Sequence, residues 1–239
     1  MDRLFRDRAD AARQLAERVA QAELPRPLIV LALPRGGVPI AAVIARRLDA
    51  PLDLLLVRKI GSPYQPELAV AAVVDAGRPE VVVDETMARL EDADERYLQR
   101  QTQREWDEIL RRRQRYLAGR EPLPVQGATV VVVDDGIATG TTVRAALAVL
   151  RRRGAARLVL AVPVAPHESL VRLRREVDEL ICLAEPSPFY AIGLHYDDFH
   201  QVGDDEVIEA MRSCAVPRPA QAVVEPARQP ARAAETTSP

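Results

Sequence analysis

Apolar runs alternate with amphipathic segments along most of the chain. A continuous apolar run over 28–33 is followed by a Pro-Arg-Gly-Gly turn and a helix-spaced pattern over 38–48. The cycle repeats, with strands predicted over 52–57, 128–133, 158–162 and 179–183 and helices over 142–153 and 168–176. Short runs that are apolar throughout read as strands buried on both faces, and strands that alternate with helices assemble into a parallel sheet. The expected fold is therefore α/β, a doubly wound and mainly parallel sheet. Two shorter extended pieces, 70–74 and 80–83, are placed to pair as a hairpin across Ala76-Gly77. The polar, Gly- and Pro-punctuated stretch 58–67 reads as a loop.

A long charged stretch over 84–120 interrupts the alternation. Its apolar residues, among them Met87, Leu90, Tyr97, Trp106 and Ile109, mostly recur three or four apart, which predicts one long inserted amphipathic helix presenting Tyr97 and Trp106. Acidic residues gather at its start and Arg111-Arg112-Arg113 near its end, so both termini complement the helix dipole. That arginine run reads as a solvated face supported by Glu108 rather than as a phosphate or RNA patch. Beyond Cys214 the chain turns to Pro, Ala, Arg and Thr, a composition that cannot bury a core, and residues 215–239 are expected to be a disordered tail. The division expected is one domain over 1–214, with a core at 25–185 and the inserted helix at 84–120.

Composition narrows the function. With 33 basic against 35 acidic side chains the net charge is −2, which argues against bulk attraction to nucleic acid or an anionic membrane. No apolar run approaches the roughly 20 residues of a membrane span, and the N-terminal residues lack an apolar export segment, so a cytoplasmic location is expected. The two cysteines, Cys182 and Cys214, make no metal-ligand pair and read as structural. Lys59 is the only lysine among the 33 basic residues, which invites a chemical reason for it.

The most informative segment runs Val130-Val131-Val132-Val133-Asp134-Asp135-Gly136-Ile137-Ala138-Thr139-Gly140-Thr141-Thr142. Four β-branched residues bury a strand, two carboxylates emerge at its carboxyl end, and a Thr/Gly turn leads into a helix. In an open parallel sheet that edge is where ligands bind. The turn can aim backbone N–H groups and three threonine hydroxyls at one anion, assisted by the positive end of the following helix. Carboxylates beside a phosphate site would repel the ligand unless they address sugar hydroxyls or a divalent cation, so the pattern implies a phosphorylated sugar. Neither a Walker loop nor a Gly-x-Gly-x-x-Gly fingerprint is present. The sequence also offers no nucleophile with a neighbouring base that would suit a phosphatase or other hydrolase.

This segment resembles the ribose-phosphate motif of the type I phosphoribosyltransferases. Leu33-Pro34-Arg35-Gly36-Gly37 resembles that family's pyrophosphate loop, and Val57-Arg58-Lys59 resembles the basic pair that ends the next strand. The segment from Pro188 to Phe199, with Phe189 and Tyr190, resembles the hood that closes over the base, which implies a small hood at 186–212. Within the family the likeness is to a bacterial group whose members are sometimes fused to a hydrolase, although no Gly-x-Ser-x-Gly elbow occurs here.

The resemblance implies Mg2+-dependent transfer of a phosphoribosyl group from 5-phosphoribosyl 1-pyrophosphate to a nitrogenous base with release of pyrophosphate, as in nucleotide salvage, by a homodimer. It implies that Ala138, Thr139, Gly140, Thr141 and Thr142 cradle the 5′-phosphate. Asp134 and Asp135 would hold the ribose hydroxyls and help place the metal, largely through substrate and water. Arg35, Gly36, Gly37, Arg58 and Lys59 would face the pyrophosphate, with the glycines letting it approach the main chain. Residues 61–67 would form a lid that excludes water. Phe189 and Tyr190 either stack on a flat heterocycle or simply pack the hood. Ala138 stands where several 6-oxopurine enzymes carry an aspartate, so no acceptor for the base proton is identified. The competing reading is a regulatory module that senses 5-phosphoribosyl 1-pyrophosphate without turning it over.

Overall fold

The computed structural model describes residues 3–118 and 120–214; the expected tail at 215–239 lies outside them. Five strands form a parallel sheet in the order β2-β1-β6-β7-β8: β1 (Leu28–Ala32), β2 (Leu52–Leu54), β6 (Thr129–Val133), β7 (Arg157–Val164) and β8 (Glu179–Ala184). Val30 pairs with Leu52 on one side and Val131 on the other, and Val131 pairs in turn with Val159. β1 and β6 are buried at every position, as strands covered on both faces must be.

Alternate residues serve opposite faces. Val30, Ala32, Val131 and Val133 pack with α1 (Arg8–Ala20) and α2 (Gly37–Leu48). Ile29, Leu31, Val130 and Val132 pack with α5 (Thr141–Arg152). The chain winds from β1 to β2 in one direction and from β6 to β7 in the other, so the crevice at the strand carboxyl ends opens between β1 and β6.

Three expectations are corrected. The strand expected over 52–57 is two strands: the chain leaves the parallel sheet after Leu54 and opens a separate antiparallel sheet of β3 (Val57–Gly61), β4 (Ala69–Asp75) and β5 (Pro79–Val83). The first four residues of the stretch expected to be a loop, 58–67, are thus strand, and the loop itself is 62–68. Second, the long inserted helix is two, α3 (Glu85–Leu90) and α4 (Glu95–Leu117), each capped by an aspartate, Asp84 and Asp94. Third, α4 does not present its aromatic residues. The Tyr97 hydroxyl donates to the Gly61 carbonyl at 2.8 Å and Trp106 packs against the core, while Ile109, Tyr116 and Leu117 are buried. Apart from Leu110, the face left outward is polar, so Tyr97 and Trp106 are not presented for pairing with a second copy.

The arginine run on α4 is spent on carboxylates. Arg111 and Arg112 both bond Glu108, whose carboxyl is held down to about 2, first by the hydrogen bond from Arg111. Arg113 reaches the buried Asp75 at 2.6 Å. A helix that the apolar pattern did not predict, α1, starts at an Asp7 cap and buries Ala11, Ala12, Leu15, Ala16 and Val19. The hood is built from both ends of the described chain: the Leu4 and Phe5 N–H groups donate to the His195 carbonyl, and Phe5 bridges to Tyr196. The hood runs on through a 3-10 turn (Ile192–His195) to α7 (Asp204–Ser213).

Candidate active site

Two turns leave the carboxyl ends of β1 and β6 side by side. The β6 turn carries Asp134 and Asp135 and enters α5 at Thr141. Gly140 has φ +77°, a left-handed conformation that glycine adopts without strain, and it swings the chain into the helix. The Ser169 hydroxyl donates to the Ala138 carbonyl at 2.6 Å and the Ile137 N–H to the Val164 carbonyl, so the turn is pinned from behind. Thr139 and Thr141 are exposed with their hydroxyls 3.3 Å apart at the amino end of α5, where the first N–H groups of a helix point at solvent. Ala138 is exposed beside them and Thr142 half-buried. This arrangement suits one phosphate monoester.

The β1 turn lies against the acidic pair. A Cβ on Gly36 would stand 2.0 Å from Asp135 Oδ2, and one on Gly37 would stand 2.6 Å from the Val133 carbonyl. Both glycines are thus required for packing against the end of β6, whether or not a diphosphate also approaches them. The Pro34–Arg35 peptide is cis. The Arg35 guanidinium is 3.4 Å from Asp204 Oδ1 at the start of α7, an oxygen that also accepts the Tyr116 hydroxyl at 2.6 Å, while Arg115 takes Oδ2 at 2.9 Å. The Tyr116 hydrogen bond, followed by the two arginines, holds the Asp204 carboxyl below its ordinary range.

The two aspartates differ sharply. Asp135 is buried, with Arg8 Nε and Nη2 each 2.8 Å from its Oδ2. Burial still pushes its carboxyl up against the pull of Arg8. Asp134 is half-buried and accepts the Asp135 N–H, with no ion-pair partner among the described residues. Burial, followed by the Asp135 charge, pushes the Asp134 carboxyl well above the carboxylate range.

The basic pair also splits. In a strand, neighbours point to opposite faces. Arg58, opposite Val73, turns to the α4 side and bonds Glu105 at 2.7 Å, so it is not aimed at the β1 turn. Lys59, opposite Ala72, is exposed on the face that α5 covers, the side of the phosphate turn. In the hood, Phe189 is half-buried with its ring 5.1 Å from that of His195, whereas Tyr190 is 73% exposed. Phe189 therefore packs the hood and Tyr190 alone stays open. His195 is buried, with neither ring nitrogen hydrogen-bonded among the described residues, and burial lowers its pKa. The sequence pattern singled out neither Arg8 nor the helix that carries it, and the Asp7 cap was the one local signal for that helix.

A profile of the phosphoribosyl transferase domain matches residues 2–198, more than half of the chain. The chain belongs to the phosphoribosyl transferase family. It is 45% identical over 206 residues to "Putative phosphoribosyl transferase Rv0571c" of Mycobacterium tuberculosis, a match covering 86% of this chain and 46% of that protein. The chain thus spans just under half the length of the curated relatives it matches. Among solved structures, TT1426 from Thermus thermophilus superposes with a TM-score of 0.78 at 42% identity, covering 90% of this chain and all of that one. The mainly parallel sheet with flanking helices is the family's architecture, and no helix among the described residues is long and apolar enough to cross a membrane.

Proposed function

We propose that this chain transfers the phosphoribosyl group of 5-phosphoribosyl 1-pyrophosphate to a nitrogenous base, releasing pyrophosphate, in a salvage-type reaction. The observation that carries the reading is the meeting of two anion-suited turns at one crevice, with Asp134 between them. The exposed hydroxyls of Thr139 and Thr141 and the amino end of α5 hold the 5′-phosphate. The Asp134 carboxylate accepts from the ribose hydroxyls. Arg35 offers its planar fork to the pyrophosphate, exchanging the long contact with Asp204 for a ligand oxygen. Lys59, a compact charge on the β3–β4 arm, neutralises the leaving group as the C1–O bond breaks and charge builds on the departing oxygen. Tyr190 stacks on the base.

Mg2+ bound to the substrate would spread the pyrophosphate charge. The donors fit such an ion only through water and substrate oxygens. No cluster of three ligating side chains occurs among the described residues, Asp135 is engaged by Arg8, and Asp134 remains. In the hood Asp197 pairs with Arg3 and Asp198 with His200.

Calorimetric titration with 5-phosphoribosyl 1-pyrophosphate, with and without Mg2+, tests the reading, followed by a pyrophosphate-release assay over a panel of bases. Mg2+-dependent binding and release with at least one base is expected. Binding without release from any base would move the reading to a sensor of the same ligand, and absence of binding would overturn it.

A further inference from the structure

We propose that Arg8 is a positioning residue that removes Asp135 from the sugar and makes it the post on which the hood is mounted, leaving Asp134 as the one carboxylate that faces ribose. The assignment rests on the phosphoribosyl transfer proposed above. Its geometry stands apart from that reading.

Each of the three guanidinium nitrogens of Arg8 meets an acceptor. Nε donates to Asp135 Oδ2 and Nη2 lies 2.8 Å from the same oxygen, Nη1 donates to the His200 carbonyl at 2.7 Å, and the guanidinium carbon lies 3.8 Å from the centroid of the Phe199 ring. The two charged side chains are 8% and 11% exposed. On the far side, the Asp135 carboxylate lies directly over the Gly36 Cα, where there is no room even for a methyl group. The Tyr196 hydroxyl donates to the Asp135 carbonyl at 2.7 Å. Asp135 is therefore flanked by Arg8 of α1, by Tyr196 of the hood and by the β1 turn, with Phe199 of the hood backing Arg8. A ribose hydroxyl could reach Oδ2, the oxygen that Arg8 holds, only by breaking a buried, hydrogen-bonded ion pair, and the whole side chain is only 11% exposed.

The pair instead fixes one relation. It sets the hood, which closes over the base, against the two turns that hold the phosphates. A planar guanidinium makes both kinds of contact at once, which an ammonium cannot. Loosening the post should accordingly weaken capture of the base more than capture of the phosphoribosyl donor.

The test uses the full chain with Asp134→Asn, Asp135→Asn, Arg8→Met, Arg8→Lys and the double variant Arg8→Met/Asp135→Asn. Melting temperature, affinity for 5-phosphoribosyl 1-pyrophosphate and the KM of each substrate are the readouts. Asp134→Asn is expected to weaken donor affinity roughly 10- to 100-fold, the loss of one or two hydrogen bonds to a charged group. Asp135→Asn and Arg8→Met should lower the melting temperature by roughly 6–20 °C, as a broken buried pair does, with donor affinity within about threefold of native. The double variant should melt no lower than the worse single one. Arg8→Lys, the mildest change, should raise the KM for the base about fivefold or more while leaving that for the donor near native. Donor affinity lost equally in Asp135→Asn and Asp134→Asn, or additive melting losses in the double variant, would overturn the assignment. If the native chain binds no donor at all, the transferase reading fails, and the melting temperatures alone still decide whether Arg8 and Asp135 act as one unit.

Discussion

Asp134-Asp135 and Arg58-Lys59 are both adjacent pairs of like charge, and in each the fold leaves one member open and spends the other on an ion pair. The two expended residues sit in different media. Arg8 and Asp135 are 8% and 11% exposed and join three elements, whereas Arg58 and Glu105 are 35% and 14% exposed and join one strand to one helix. Coulomb attraction is worth far more where water is excluded, and so is the penalty for leaving either partner alone there. The difference teaches that in this molecule burial, and not charge type, decides which ionic residue is a strut and which is trim.

The comparison breaks first at Gly36. Its missing side chain is what lets the Asp135 carboxylate lie where Arg8 holds it. Gly36→Ala must push that carboxylate out of its bonds, so a loss of about 3–5 kcal/mol is expected, the cost of breaking a buried pair. Urea unfolding measures it, and a variant as stable as native would mean that the carboxylate has another place to go.

Lys59 comes next. If it neutralises the leaving group, Lys59→Met should lower kcat about 10²- to 10³-fold, the usual cost of one transition-state donor, with melting unchanged because the side chain is exposed. Equal loss in KM and none in kcat would make it a simple binding charge.

A smaller effect, of opposite sign, is expected at Asp134. Its raised pKa means that the folded chain holds the proton more tightly than the unfolded chain. The stability this contributes is complete below the ordinary carboxylate pKa of about 3.9 and is lost as pH rises through the raised value. Asp134→Asn removes the charge without the shape. The variant should match native near pH 3 and exceed it at neutral pH by about 0.5–2 kcal/mol, a gain in stability at the expense of function. Melting curves across pH check this, and a difference that does not grow with pH would refute it.

What the sequence made legible follows the range of the forces involved. The β6 strand, the acidic pair and the Thr/Gly turn are contiguous, so both their pattern and their chemistry lie within a single short stretch of chain. The switch of sheets after Leu54 was hidden because Leu55 and Leu56 continue the apolar run; both are buried, but in the passage between sheets. α1 has only a weak apolar signal in the sequence because alanine forms much of its buried face. Arg8 and Asp135 are 127 positions apart, and nothing local in either segment marks the pairing. The partner of Arg58 was out of reach for the same reason, although strand alternation alone requires that Arg58 and Lys59 point apart.

The smallest effect, and the one most sensitive to the comparison, is expected where Arg58 turns away from Lys59. The Arg58–Glu105 pair is partly open to solvent, so a double-mutant cycle of Arg58→Ala and Glu105→Ala should return a coupling of only about 0.2–1 kcal/mol. The coupling should fade at about 1 M salt, where the screening length is about 3 Å, whereas the buried Arg8–Asp135 pair should keep its coupling under the same conditions. Turnover in Arg58→Ala should stay within a few fold of native because its guanidinium is turned to α4, away from the side that carries Lys59 and the phosphate turn. A loss on the scale expected for Lys59→Met would mean that Arg58 leaves Glu105 when ligand binds. The hairpin would then bring both charges to the pyrophosphate, and the division of each pair into one open and one expended residue would hold only for the empty site.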